Sequence, residues 1–167
     1  MAAQRQPGPA LLDMPLEQLP AVDEHSIEID APAEQAWATL LPVLESRLCK
    51  PSSRRVAGLL GCAVTEASGD RSHPGGTLPG FTVSRAIPPV MLALVGRHRF
   101  SSYALVFRID LLPGQRSVVR LETRAEFIGA KGRVYRAGVL GTRLHVIAAR
   151  RMLRAIKREA EQGRAGG

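Results

Sequence analysis

Cysteine is scarce in this chain. Only Cys49 and Cys62 occur in 167 residues, and neither has metal-ligand spacing or a nearby histidine partner. They read as two structural thiols. Aromatic residues are few as well: four Phe, two Tyr and one Trp. None alternates with arginine as a base-stacking surface requires, so nucleic acid is not an expected partner. Long apolar runs are missing, and no stretch approaches the roughly 20 residues that cross a bilayer. The N-terminal segment has no sustained apolar core after its basic residue, which argues against a secretory signal and makes a cytoplasmic location the default. His25, His73, His98 and His145 show no pair one helical turn apart, so no metal site is expected. Gly138-x-x-Gly141 lacks the Lys and Ser/Thr of a phosphate loop. No cofactor and no catalytic residue is expected.

Positive charge, in contrast, is in excess. Lys and Arg number 23 against 15 acids, giving a net charge of +8. Such a balance suits nucleic acid, an anionic membrane or an acidic ligand equally, and so selects none of them. A hydrophobic content of 45% and a mean hydropathy of -0.02 fit one globular domain with a genuine core.

Along the chain, residues 1–22 are rich in proline and are expected to form a poorly ordered arm. Ile27 and Ile29 alternate with polar neighbours, as in a half-buried strand. Pro32 suits the first turn of a helix that buries Ala36, Trp37 and Leu40 and ends at Pro42. A second short helix is expected between Val43 and Leu60. Cys62 to Ala67 reads as a short strand, and Ser68 to Gly80 as a long polar loop. Phe81 and Val83 then alternate, as do Leu92, Leu94, Gly96 and His98. Tyr103 to Leu111 gives the clearest period of two, followed by Val119 to Phe127. Turn signals at Pro88-Pro89 and Pro113-Gly114 favour antiparallel neighbours.

Arg133 to Gln162 contains no proline and carries a single apolar stripe. Tyr135, Gly138, Thr142, Val146, Ala149, Leu153, Ile156 and Ala160 recur at steps of three or four, on one face of a helix. The opposite face is basic. One long helix is therefore expected to cover the inner face of a curved antiparallel sheet. The fold class is α+β, with a domain over 23–162 and a flexible tail at 163–167.

The stretch from Ile27 to Leu40, IEIDAPAEQAWATL, resembles the opening of the SRPBCC superfamily. That group includes START lipid-transfer domains, the birch-pollen-allergen fold and polyketide cyclase/dehydrase proteins. Its pattern is an apolar strand, Ala-Pro, and an aromatic within the following helix. The hairpins and closing helix resemble the same group, and Gly96 to Phe100 and Glu122 to Phe127 look like uncharacterised bacterial members. The resemblance implies a helix-grip fold: a curved antiparallel sheet wrapped around a long C-terminal helix, with two short helices after the first strand. It also implies a cavity for a lipid, polyketide or quinone-like molecule.

Small residues in the first half of the helix stripe point to a cavity there, because glycine within a helix costs about 1 kcal/mol and needs compensation. The expected wall is Phe81, Val83, Leu94, Leu105, Leu121 and Phe127, with Tyr135, Gly138 and Thr142 facing it. Arg85, His98, Tyr103 and Thr123 are the candidate polar anchors. Binding or transport of a small hydrophobic molecule is the leading reading. The alternatives are a cyclase or dehydratase using His98, Arg85 and Tyr103, and a docking module. For the latter, Leu140, Leu144 and Ile147 form a second apolar patch framed by arginines, suited to a membrane surface or a protein. A triad from Asp70, Ser72 and His73 is disfavoured, since a glycine-rich loop does not hold such groups rigidly.

Overall fold

A computed structural model describes residues 12–141 and 143–165; among these, nothing is stated of the side chains at 139–141, 164 and 165. Strand β1 (Ala21–Ile29) is followed by helices α1 (Ala33–Leu48) and α2 (Pro51–Leu60). Five strands come next: β2 (Thr77–Leu78), β3 (Phe81–Ile87), β4 (Met91–His98), β5 (Ser101–Leu112) and β6 (Arg116–Phe127). Helices α3 (Gly129–Gly141) and α4 (Leu144–Ala165) close the chain. All strand pairs are antiparallel, in the order β1-β6-β5-β4-β3-β2. This is the expected helix-grip architecture.

The core lies between the inner sheet face and two helices. Ile29, Leu92, Leu94, Phe107, Val119 and Leu121 meet Leu40 and Leu44 of α1 and Leu153 and Ile156 of α4. Ile156 is fully buried, and sequestering a side chain of this size contributes about 1.5–3 kcal/mol. Polar ties hold the far end of α4 in place. Lys157 Nζ donates to the Glu28 carbonyl at 2.8 Å, and Gln35 Nε2 to the Ala160 carbonyl at 2.7 Å. The near end is tied through β1, where the Asp23 carboxylate lies 2.9 Å from His145 Nε2 and 3.3 Å from His25 Nε2.

Five expectations need correction. The terminal helix is not continuous: α3 and α4 are separate helices, and Arg143 takes a left-handed φ of 53° at their junction. The apolar stripe is therefore divided between two helices. Ala149, Leu153, Ile156 and Ala160 are buried, Tyr135 and Val146 are half-buried, Gly138 is exposed, and Thr142 lies outside the described residues. Pro42 does not end α1 but sits inside it. Burial of Leu40, Val43 and Leu44 on either side outweighs the roughly 3 kcal/mol that an internal proline costs. Cys62 to Ala67 forms no strand. Its backbone instead bonds singly to neighbours, Ala63 N–H to the Arg97 carbonyl and the Val64 carbonyl from Gly80 N–H.

The outer sheet face is not left wholly to water. Leu16 and Leu19 pack on Ala93, Val95, Ala104 and Val106, and Arg124 donates to the carbonyls of Leu16 and Leu19 at 3.2 and 3.1 Å. The arm expected over 1–22 thus divides. Residues 1–11 lie outside the described residues, while those from Leu16 onward are seated on the sheet and β1 begins at Ala21. At the other end, helix runs through Ala165 where a flexible tail was expected, and residues 166–167 lie outside the described residues.

Candidate functional site

Toward the β4–β5 turn the packing stops, and a cavity of about 450 Å³ opens on the inner face. Its floor is Phe81, Tyr103, Leu105, Thr123, Ala125 and Phe127. Helix α2 forms one wall, and Tyr135 of α3 and His145 of α4 complete the lining.

The wall helix has a local logic. Pro51 starts α2, where a missing N–H is harmless, and Gly61 at φ 69° terminates it in the left-handed region. Ser53, Val56, Ala57 and Leu60 follow at i, i+3, i+4 and i+7 and present one face to the cavity. Only Ala57 among the α2 residues is buried, because that face looks onto space rather than onto packed side chains. Val56 remains 53% exposed and Leu59 77%.

Glycine makes the floor possible. Gly96 stands directly opposite Tyr103 across β4 and β5, and a Cβ there would collide with the Tyr103 ring and the Gly80 carbonyl. The ring lies across that gap, and its hydroxyl donates to the Gly80 carbonyl at 2.7 Å. Cys62 Sγ is 3.7 Å from the same hydroxyl. Burial drives the Tyr103 phenol far above its ordinary range, with Cys62 adding to the effect, and burial also raises the Cys62 thiol. Both stay protonated at neutral pH, so neither is an activated nucleophile.

Around Tyr103 the rings form a cage. Ring centroids of His98 lie 5.3 Å from Tyr103, 5.0 Å from Tyr135 and 6.0 Å from Phe100. Tyr135 stacks on Phe100 at 5.5 Å, and Phe81 meets Tyr103 edge-on at 5.4 Å. Burial, and to a lesser degree Arg99, lowers the His98 pKa below its ordinary value of 6.5. The imidazole is therefore neutral at pH 7.

The structure brings seven of the candidate residues to one cavity: Phe81, His98, Tyr103, Leu105, Thr123, Phe127 and Tyr135. Val83, Leu94 and Leu121 face inward too, but they are sealed in the packed core beside it. Arg85 is a clear miss. The β3–β4 register shifts between Val83 and Arg85, reversing the alternation so that Ala86 turns to the core and Arg85 is exposed. Gly138 is exposed and borders nothing in the cavity, and Ala149 belongs to the core.

Sequence reasoning missed the α2 wall, although the 53-56-57-60 spacing was a readable helical signal. It also missed Cys62, Ser101 and His145, which single-residue patterns do not mark, and passed over Ala125, which shares the alternation of Thr123 and Phe127.

The remaining candidates fall elsewhere. His73 Nδ1 lies 2.9 Å from Asp70 Oδ2 and 3.0 Å from Ser72 Oγ. A proton relay needs the acid and the nucleophile on different ring nitrogens, whereas here both meet Nδ1. Hydrogen bonds from the Ser72 hydroxyl and N–H lower the Asp70 carboxyl to about 2, as in an ordinary exposed turn. Leu144 and Ile147 are exposed on α4, and the Leu140 side chain lies outside the described residues. Among the described residues, no group of three or more His, Cys, Asp or Glu is arranged to hold a metal ion, and no helix is long and apolar enough to cross a membrane.

A curved antiparallel sheet, a C-terminal helix seated on it and a chamber at one end define the helix-grip class. No family model matches the sequence, and no curated protein does. Solved structures do match. The chain is similar to the Zhui aromatase/cyclase of a Streptomyces species at 17% identity, with a TM-score of 0.55 over 86% of this chain and 94% of that one. It is also similar to a START superfamily protein from Mycobacterium smegmatis at 11% identity, with a TM-score of 0.50 over 86% of this chain and 99% of that one. These two structures share the helix-grip fold of this chain, and a fold shared at such identities assigns no activity.

Proposed function

We propose that this protein binds and carries one small, predominantly apolar molecule in the cavity beneath α2 and Tyr135. One observation carries the reading: the inner sheet face is packed solid beneath α4 yet hollow at its other end, where aromatic and aliphatic side chains line about 450 Å³. Pockets of this size and lining are the usual form of small-ligand sites. Lipid, polyketide-like and quinone-like molecules share the required character.

The cyclase or dehydratase reading required His98, Arg85 and Tyr103 to converge. Arg85 is exposed on the other side of β3, and the Tyr103 hydroxyl is committed to Gly80. Carriage without chemistry is therefore favoured.

Native mass spectrometry of gently purified protein tests the reading, together with titration by an apolar fluorescent dye. The expected result is a co-purified molecule or a dye bound at one per chain. A chain that arrives empty and takes up no dye at defined stoichiometry removes the proposal.

A further inference from the structure

Building on the carrier reading, we infer that the cavity selects a neutral ligand bearing a carbonyl oxygen, which it holds through Nε2–H of His98. The ring is fixed at one corner: Phe100 N–H donates to His98 Nδ1 at 3.1 Å. A nitrogen that accepts carries no proton, so the neutral imidazole has its hydrogen on Nε2. Because Nδ1 is turned toward its own β4–β5 turn, Nε2 is turned away from that turn, on a side chain that borders the cavity. Among the described residues Nε2 has no protein acceptor, and it is not one of the sealed, unpartnered polar atoms, so it opens onto accessible space.

Other polar groups of the wall are spent or unselective. Tyr103 donates to Gly80, Ser101 to the Glu126 carbonyl at 2.9 Å and Ser53 to the Arg47 carbonyl at 3.3 Å. Ser52, Thr123 and Tyr135 also line the cavity, but a hydroxyl rotates to donate or accept, and His145, a further lining residue, has its Nε2 2.9 Å from the Asp23 carboxylate. With Nδ1 already accepting from Phe100, the neutral His98 ring can only donate toward a ligand. Its partner must be an acceptor, and a buried donor left unmatched is costly. A free carboxylate is disfavoured, since among the described residues no Lys or Arg lines the cavity and a buried charge needs a partner. Ketones, quinones and esters remain.

The test uses 9-fluorenone and fluorene, rigid probes of matched shape that differ at the carbonyl. The ratio of their affinities is measured for wild type, His98→Phe and His98→Gln. In His98→Phe that ratio is expected to shift against fluorenone by about 2- to 10-fold, the effect of one neutral hydrogen bond. His98→Gln, which keeps an N–H donor, is expected to recover part of the shift. An unchanged ratio in His98→Phe overturns the inference while leaving the carrier reading intact. Failure of both probes to bind wild type overturns the carrier reading itself. Infrared spectroscopy of fluorenone bound to wild type provides a check that needs no variant. The carbonyl band is expected below its position in a dry alkane, and a band at the alkane position overturns the inference.

Discussion

The two ends of one sheet face differ sharply. At the β1 end of the inner surface, Ile29, Phe107 and Val119 meet Leu40, Leu44, Leu153 and Ile156 with almost no exposure. Toward the β4–β5 turn, Phe81, Leu105 and Phe127 continue the same strand alternation yet border a void. Strand composition is apolar at both ends, so the strands do not decide which end fills. The facing helices decide it. Helix α4 supplies a buried residue at nearly every inward turn, whereas α3 offers half-buried Tyr135, then Gly138 and exposed Val134. One end is packed, and the other is left open as a cavity.

Truncating the packed end gives the largest expected effect. Ile156→Ala removes a fully buried side chain, and chemical denaturation is expected to show a loss of about 2–5 kcal/mol. Enlarging an alanine at each end comes next. Ala36→Phe forces a ring into sealed core and is expected to cost about 1–3 kcal/mol or more. Ala125→Phe extends into the cavity instead, leaving the denaturation midpoint near wild type while abolishing dye uptake. Equal destabilisation by the two would show that the ends do not differ.

A smaller effect is expected from acid. The folded-state pKa of His98 is depressed below 6.5, so as pH falls the unfolded chain takes up a proton first. The stability linked to this residue is intact above about pH 6.5 and declines on going below it toward the folded pKa. Denaturation across that window is expected to show a shallower pH slope for His98→Phe than for wild type. The smallest effect is expected outside both ends. Leu144→Glu alters a side chain that is 64% exposed, and its stability is expected to stay within about 0.5 kcal/mol of wild type. Vesicle binding by the same pair tests a docking role, and equal binding would count against a membrane surface as partner.

The candidate site was legible in part. Phe81, Tyr103, Leu105 and Phe127 were found because strand alternation places them inward, and His98 because it follows Leu92, Leu94 and Gly96 at the same spacing. Arg85 was misplaced because a bulge reverses parity without any glycine or proline to announce it. Tyr135 borders the cavity, although it was expected there on one unbroken helix. The small residues taken as the sign of a cavity lie elsewhere: Gly138 is exposed and Ala149 sits in the core. The void is bounded instead by α2, an element read only as a short helix of unspecified role.

The chain's own periodicities determined the antiparallel hairpins, the helix after β1 and the buried stripe of α4, because burying one face imposes a repeat that can be read residue by residue. Tertiary structure alone decided that Pro42 stays helical, that the closing helix breaks before Leu144 and that space remains beneath α2. Each of these depends on a balance between segments far apart in sequence, and an empty volume is a property of how such segments fail to meet, which no single residue carries.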